Sequence, residues 1–211
     1  SISFLITGDE EGLAINGTKK VVDYLKKKKE KIDFCIVGEP TNPNKLGEMI
    51  KIGRRGSISG TIMIYGSQGH VAYPHLSNNP VNTLVNICKK LNEHKLERGN
   101  KNFQPSNLEI TSINVYNTAT NVIPASARAQ FNVRFNNLHT SSSLKKKITS
   151  IVKILSKKNK CKFKIDFHVS GESFLTKPNK TIHMARSIIK KVTKITPVFS
   201  TTGGTLSLIH I

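Results

Sequence analysis

Residues 126–135 read SARAQFNVRF. Ala127, Ala129, Phe131, Val133 and Phe135 occupy alternate positions, with Arg128, Gln130, Asn132 and Arg134 between them. Successive side chains of a strand point to opposite faces, so this period of two predicts a strand with one apolar and one polar face. A sheet built from such strands packs its apolar side on another layer and leaves the polar side to water, a partner or a ligand.

The flanks supply that layer. Residues 161–169 repeat the alternation through Cys161, Phe163, Ile165, Phe167 and Val169, and residues 57–65 do so through Ile58, Ile62 and Ile64. Residues 108–115 form a further strand whose apolar parity slips between Ile110 and Ile113, which predicts a bulge. Asn79 and Pro80 stand at the N-cap and first turn of a helix carrying Val81, Leu84, Val85, Cys88 and Leu91 at spacings of three and four. The serines 141–143 open a second helix with Leu144, Ile148, Ile151, Val152 and Leu155 on one side. Strand, helix, two strands, helix and strand over residues 57–169 predict a ferredoxin-like α+β unit, with both helices on one face of the sheet.

Upstream, the apolar run of residues 2–7, halted by Gly8 and Asp9, predicts a buried strand that ends at Glu10 and Glu11. Asn16 to Thr18 offer helix-capping chemistry, and Val21, Val22 and Leu25 predict a helix running to about Lys31. Residues 33–38 (DFCIVG) predict a second strand, parallel to the first, that ends at Glu39. Glu10, Glu11 and Glu39 are thus expected at one sheet edge. Crowded carboxylates repel unless protonated or holding cations, so spacing alone leaves two readings, a cation site and solvated loop acids. Beyond Gly171, Ile182, Ala185, Ile188, Ile189 and Val192 predict a helix, followed after Pro197 by a short strand into TTGGT. The backbone amides at Gly203 and Gly204 suit an anion.

Composition narrows the class. The 211 residues carry a formal charge of +20. The lysines fall mostly on polar helix faces, no nucleic-acid-binding motif accompanies them, and a nucleic-acid partner is not expected. Three scattered cysteines, Cys35, Cys88 and Cys161, match neither a disulfide framework nor a metal knuckle and are expected to be buried free thiols. No apolar run approaches the roughly 20 residues that span a bilayer, and no basic-then-apolar signal opens the chain. No membrane partner and a cytoplasmic location are expected.

Taken together, TGDEEG, VGEPT, GRRGS, QGHVAYPHL, TNVIP and TTGGT closely resemble the bacterial succinyl-diaminopimelate desuccinylases. These are di-zinc amidohydrolases of the aminoacylase and carboxypeptidase superfamily. The first two motifs mark the superfamily, and GRRGS followed by QGHVAYPHL marks the desuccinylases. The resemblance implies an α/β fold: a partial zinc-peptidase-like catalytic domain with parallel strands over residues 1–55 and 171–211, and an inserted ferredoxin-like lid and dimerisation domain over residues 56–170. It implies removal of succinate from N-succinyl-LL-diaminopimelate, a small dicarboxylate amide, in lysine and diaminopimelate biosynthesis. Two zinc ions, or cobalt in their place, and a homodimer joined through the lid are implied as well.

The implied roles fall residue by residue. Glu10 is the general base, and Glu11 and Glu39 each ligate one metal ion. His70 reaches into the other subunit's active site and stabilises the oxyanion. Arg54, Ser57, Tyr73, Asn121, Arg134, Gly204 and Thr205 hold the substrate. Arg55, next to Arg54 and pointing the opposite way on an extended chain, reads as structural. Departures from the family pattern are equally specific. Thr120 stands where the family has an asparagine, the family's other metal ligands have no counterpart here, and His210 in LSLIHI does not match the family's distal ligand. Two carboxylates do not complete a two-zinc site, so the chain alone is expected to be inactive. Three other readings remain: a sister enzyme such as acetylornithine deacetylase or a carboxypeptidase, a non-catalytic dimerising module, and a basic nucleic-acid binder, which tight RNA binding at moderate salt would revive.

Overall fold

A computed structural model of the chain describes residues 2–8, 15–38 and 42–201. The chain divides into two compact units, Ile52–Lys177 and the combination of Ser1–Lys51 with Pro178–Ile211.

The larger unit is organised around a four-stranded antiparallel sheet of β3 (Gly56–Tyr65), β5 (Asn107–Asn114), β7 (Ser126–Phe135) and β8 (Lys162–Gly171), in the order β5-β7-β3-β8. Helices α2 (Pro80–Asn92) and α3 (Ser141–Lys158) pack on one face. That order and connectivity are the ferredoxin-like arrangement that the alternation predicts. Ala127, Ala129, Phe131, Val133 and Phe135 of the central β7 are all buried, and they join Ile58, Ile62, Ile64, Leu84, Ile148 and Val152 in one core. The bulge of β5 falls between Ile110 and Ser112. Gly60 faces Phe131 in register, and a Cβ placed on it would lie 2.2 Å from the ring. The missing side chain is what leaves room for the aromatic ring against β3.

Local chemistry sets the helix ends. The Asn79 side chain accepts from the Val81 N–H at 2.9 Å, ahead of Pro80 in the first turn of α2. Thr140 and Ser143 form a reciprocal capping box at the start of α3. The buried stripe of α2 is Leu84, Ile87, Cys88 and Leu91, and Val85, predicted inside, is 52% exposed. Ile87 completes the i, i+3, i+4, i+7 series from Leu84, while Val85 lies about 100° round the helix. Short pairs frame the sheet: β2 (Gly53–Arg54) with β9 (Phe174–Leu175), and β4 (Gly69–His70) with β6 (Val122–Ile123), both antiparallel.

The smaller unit holds α1 (Thr18–Lys27), α4 (Lys180–Thr193) and a parallel pair, β1 (Met49–Lys51) with β10 (Val198–Ser200). Here several expectations are corrected. Residues 2–7 form no strand, and Phe4 and Ile6 are 90% and 92% exposed. Residues 33–38 form none either, and Ile36 is 77% exposed. The parallel crossover is therefore absent from the described residues, because neither stretch finds a neighbouring strand to satisfy its backbone groups. Helix α1 stops at Lys27 rather than near Lys31, with Lys29 at φ 57° beyond it. Cys35 is exposed, whereas Cys88 and Cys161 are buried as expected. On α4 only Ile182 is buried, and Ile188 and Val192 face outward.

Candidate functional site

The open face of the sheet follows from the register. Ser57, Ser59, Thr61 and Met63 of β3 stand opposite Arg134, Asn132, Gln130 and Arg128 of β7. On the other flank Ser59, Thr61, Met63 and Tyr65 stand opposite His168, Asp166, Lys164 and Lys162 of β8. Cations outnumber acids on this face, and Asp166 is occupied by Lys164 at 2.9 Å. The surface suits an anionic ligand.

One predicted group gathers at the start of β3. Ser57 is in register with Arg134, and its Oγ accepts from Asn132 Nδ2 at 3.3 Å. Arg134 is exposed, and half-buried Arg54 sits one short strand away in β2. Burial lowers the Arg54 guanidinium below its ordinary value, and the positive charge of Arg134 lowers it further. Two like charges within range of one another are a standing demand for anionic oxygen. Arg55, expected to point away from Arg54 as a structural residue, instead lies on the Arg134 side: its Nη1 donates to Pro105 O at 3.1 Å and to Oδ1 of Asn107, the β5 residue in register with Arg134, at 3.0 Å.

A second group lies beyond the other end of β3. The Gly66 N–H donates to Ala125 O at 2.9 Å, and β4 and β6 then bring residues 69–73 beside residues 121–123. The Val71 N–H donates to the Asn121 carbonyl at 3.0 Å, so Asn121 is set by its backbone. His70 and Tyr73 are exposed, with ring centroids 6.0 Å apart and planes tilted at 55°, and Tyr73 meets His75 edge-on at 6.4 Å. The His70 Nδ1 accepts from the Ala72 N–H at 3.0 Å, in the manner of an Asx turn. In the neutral ring the proton then resides on Nε2, which makes the outward nitrogen a hydrogen-bond donor. Sequence motifs single out His70 but give no sign of this backbone contact.

The two groups are separated by the length of β3. Eight residue steps from Ser57 to Tyr65, at about 3.3 Å each, put roughly 26 Å of strand between them. Glu10, Glu11, Glu39, Gly204 and Thr205 lie outside the described residues. Among the described residues no group of three or more histidines, cysteines, aspartates and glutamates is arranged to hold a metal ion, nor is any helix long and apolar enough to cross a membrane.

The chain belongs to the peptidase dimerisation domain family, whose profile matches residues 52–160. Among curated relatives, the succinyl-diaminopimelate desuccinylase of Pelagibacter ubique (strain HTCC1062) is 67% identical over 97% of this chain and 53% of its own length. That of Parvibaculum lavamentivorans is 52% identical over 97% of this chain and 52% of its own. The chain thus spans about half the length of the curated relatives it matches. Among solved structures, the aminopeptidase PepT of Bacillus cereus superposes with a TM-score of 0.62 over 75% of this chain and 41% of its own, at 13% identity. That likeness shows the fold alone.

Proposed function

We propose that the chain is part of a metal-dependent amide hydrolase that removes succinate from N-succinyl-LL-diaminopimelate in lysine and diaminopimelate biosynthesis, acting as a homodimer through residues 52–177. Similarity to the desuccinylases supports the reaction. The separation of the two residue groups carries the dimer: a site needing both draws His70, Tyr73 and Asn121 from one copy and Arg54, Ser57 and Arg134 from another.

The roles follow from the side chains. The Arg54 and Arg134 guanidiniums receive substrate carboxylates, with the Ser57 hydroxyl beside them. The His70 Nε2–H donates to the oxygen that gains charge as the amide carbon becomes tetrahedral. Tyr73 and Asn121 line the same loop pair, and Gly204 and Thr205 add donors. Glu10 takes the proton of the attacking water and passes it to the leaving amine. Two zinc ions, or cobalt in their place, ligated in part by Glu11 and Glu39, supply Lewis acidity toward the carbonyl when bound. The product side is cytoplasmic amino-acid synthesis, without nucleic-acid or membrane partners.

The test is turnover by the full-length, zinc-loaded protein. N-succinyl-LL-diaminopimelate is expected to be hydrolysed well ahead of N-acetylornithine, and Arg134→Ala is expected to lower kcat/KM by about 10²-fold, as loss of a charged hydrogen bond does. Preference for the acetyl substrate, or no metal-dependent hydrolysis of either, overturns the reading.

A further inference from the structure

The contacts of Arg55 converge on the neighbour of Arg134. Its Nη1 spans Pro105 O and Asn107 Oδ1, and Asn107 is the β5 residue in register with Arg134. Asn107 therefore flanks Arg134 on one side as Ser57 flanks it on the other. With its Oδ1 taken by Arg55 and its Nδ2 turned to Glu109 at 3.3 Å, the Asn107 amide oxygen is already engaged where Arg134 would otherwise compete for it.

The same three residues are gripped from behind. The Ser106 N–H donates to Glu97 Oε1, and Ser106 Oγ accepts from the Asn136 N–H at 2.9 Å. Asn136 is fully buried, two residues past Arg134, and its Nδ2 donates to Glu97 at 2.7 Å and to Gln104 O at 3.1 Å. Residues 105–107 are thus held by Arg55 on one side and by the Glu97 and Asn136 pair on the other. Both restraints act where β5 meets the end of β7 that carries Arg134. Burial lowers the Arg55 guanidinium below its ordinary value, the charge of Arg134 lowers it further, and Glu97 opposes both.

We propose that Arg55 is a positioning residue for anion recognition: by holding residues 105–107 it sets the edge against which Arg134 is aimed. This rests on the reading of Arg54 and Arg134 as the receptors of the substrate's carboxylates. Arg55 itself touches no substrate.

The test is succinate as a competitive inhibitor of the full-length, zinc-loaded protein, read as Ki alongside kcat, KM and thermal midpoint. Arg55→Gln and Asn107→Ala are each expected to raise Ki and KM by about tenfold with kcat changed less than about twofold, the loss of one charged hydrogen bond's support. The double variant is expected to be no worse than Arg55→Gln, which already removes the Asn107 contact along with that to Pro105. Arg55→Lys, which keeps the charge but loses the fork, is expected to fall between. Asn107 is exposed at a strand end, so its variant folds even where Arg55→Gln does not. An unchanged Ki in Asn107→Ala or Arg55→Gln, with Arg134→Ala still raising it, overturns the proposal alone. An unchanged Ki in Arg134→Ala overturns the carboxylate reading beneath it.

Discussion

Residues 2–7 (ISFLIT) and residues 129–135 (AQFNVRF) have similar credentials as strands, yet Ile6 lies almost wholly in solvent while Phe135 is fully buried. The difference is in the neighbours. β7 has β3 on one side, β5 on the other and two helices beneath, so its ladder and its apolar face are both satisfied. Among the described residues the earlier stretch has no paired strand at all. β-Propensity measures fit to a pleated, half-buried surface, and without that surface an apolar run has nothing to fit.

The comparison is easiest to break in the cores themselves. Phe131→Ala is expected to destabilise the chain by about 3–5 kcal/mol, and Phe4→Ala by less than about 0.5 kcal/mol, in denaturant unfolding. Equal costs would mean that residues 2–7 are packed after all. Gly60→Ala sharpens the same point at smaller cost, because its methyl group must displace the Phe131 ring. A loss of about 1–3 kcal/mol is expected, and Phe131→Leu in the same background is expected to recover part of it.

A smaller effect concerns the loop behind Arg134. Burial pushes the Glu97 carboxyl up, but the N–H groups of Ser106 and Gly99 and the Asn136 amide outweigh it and hold the group below its ordinary value of 4.5. A carboxylate lowered in the folded state contributes stability that is present above the unfolded value and is lost as the pH falls through the folded one. Unfolding midpoints measured from pH 6 downward are expected to fall below about pH 4.5, with part of that slope absent in Glu97→Gln. Identical slopes in both proteins would remove Glu97 from the account.

Legibility follows the same division between local and distant causes. The strand over residues 126–135, the Asn79 cap, the slipped parity in β5 and the first turn of α3 were readable because each depends on residues within a few positions of one another. Val85 was misplaced because it too fits the spacing of three and four, from Val81 and to Cys88, and spacing alone does not set where the buried stripe of Leu84, Ile87, Cys88 and Leu91 ends. The strands expected at residues 2–7 and 33–38 failed because pairing is set by chain far away in sequence. Arg134 was marked out by the family resemblance and by its place on the polar face of the alternation. The Arg55, Asn107 and Glu97 support did not, since its parts come from three separate segments and none belongs to a motif. The register that sets Ser57 beside Arg134, and the strand that parts both from His70, appear only in three dimensions.

That parting is tested most directly by subunit complementation in the full-length, zinc-loaded protein. His70→Ala and Arg134→Ala variants are each expected to be nearly inactive when measured alone. Mixed in equal amounts under exchanging conditions, they are expected to recover about a quarter of parental activity, since half the dimers are mixed and each holds one intact composite site. Failure to recover any activity, with mixed dimers shown to form, would contradict a site shared between two copies.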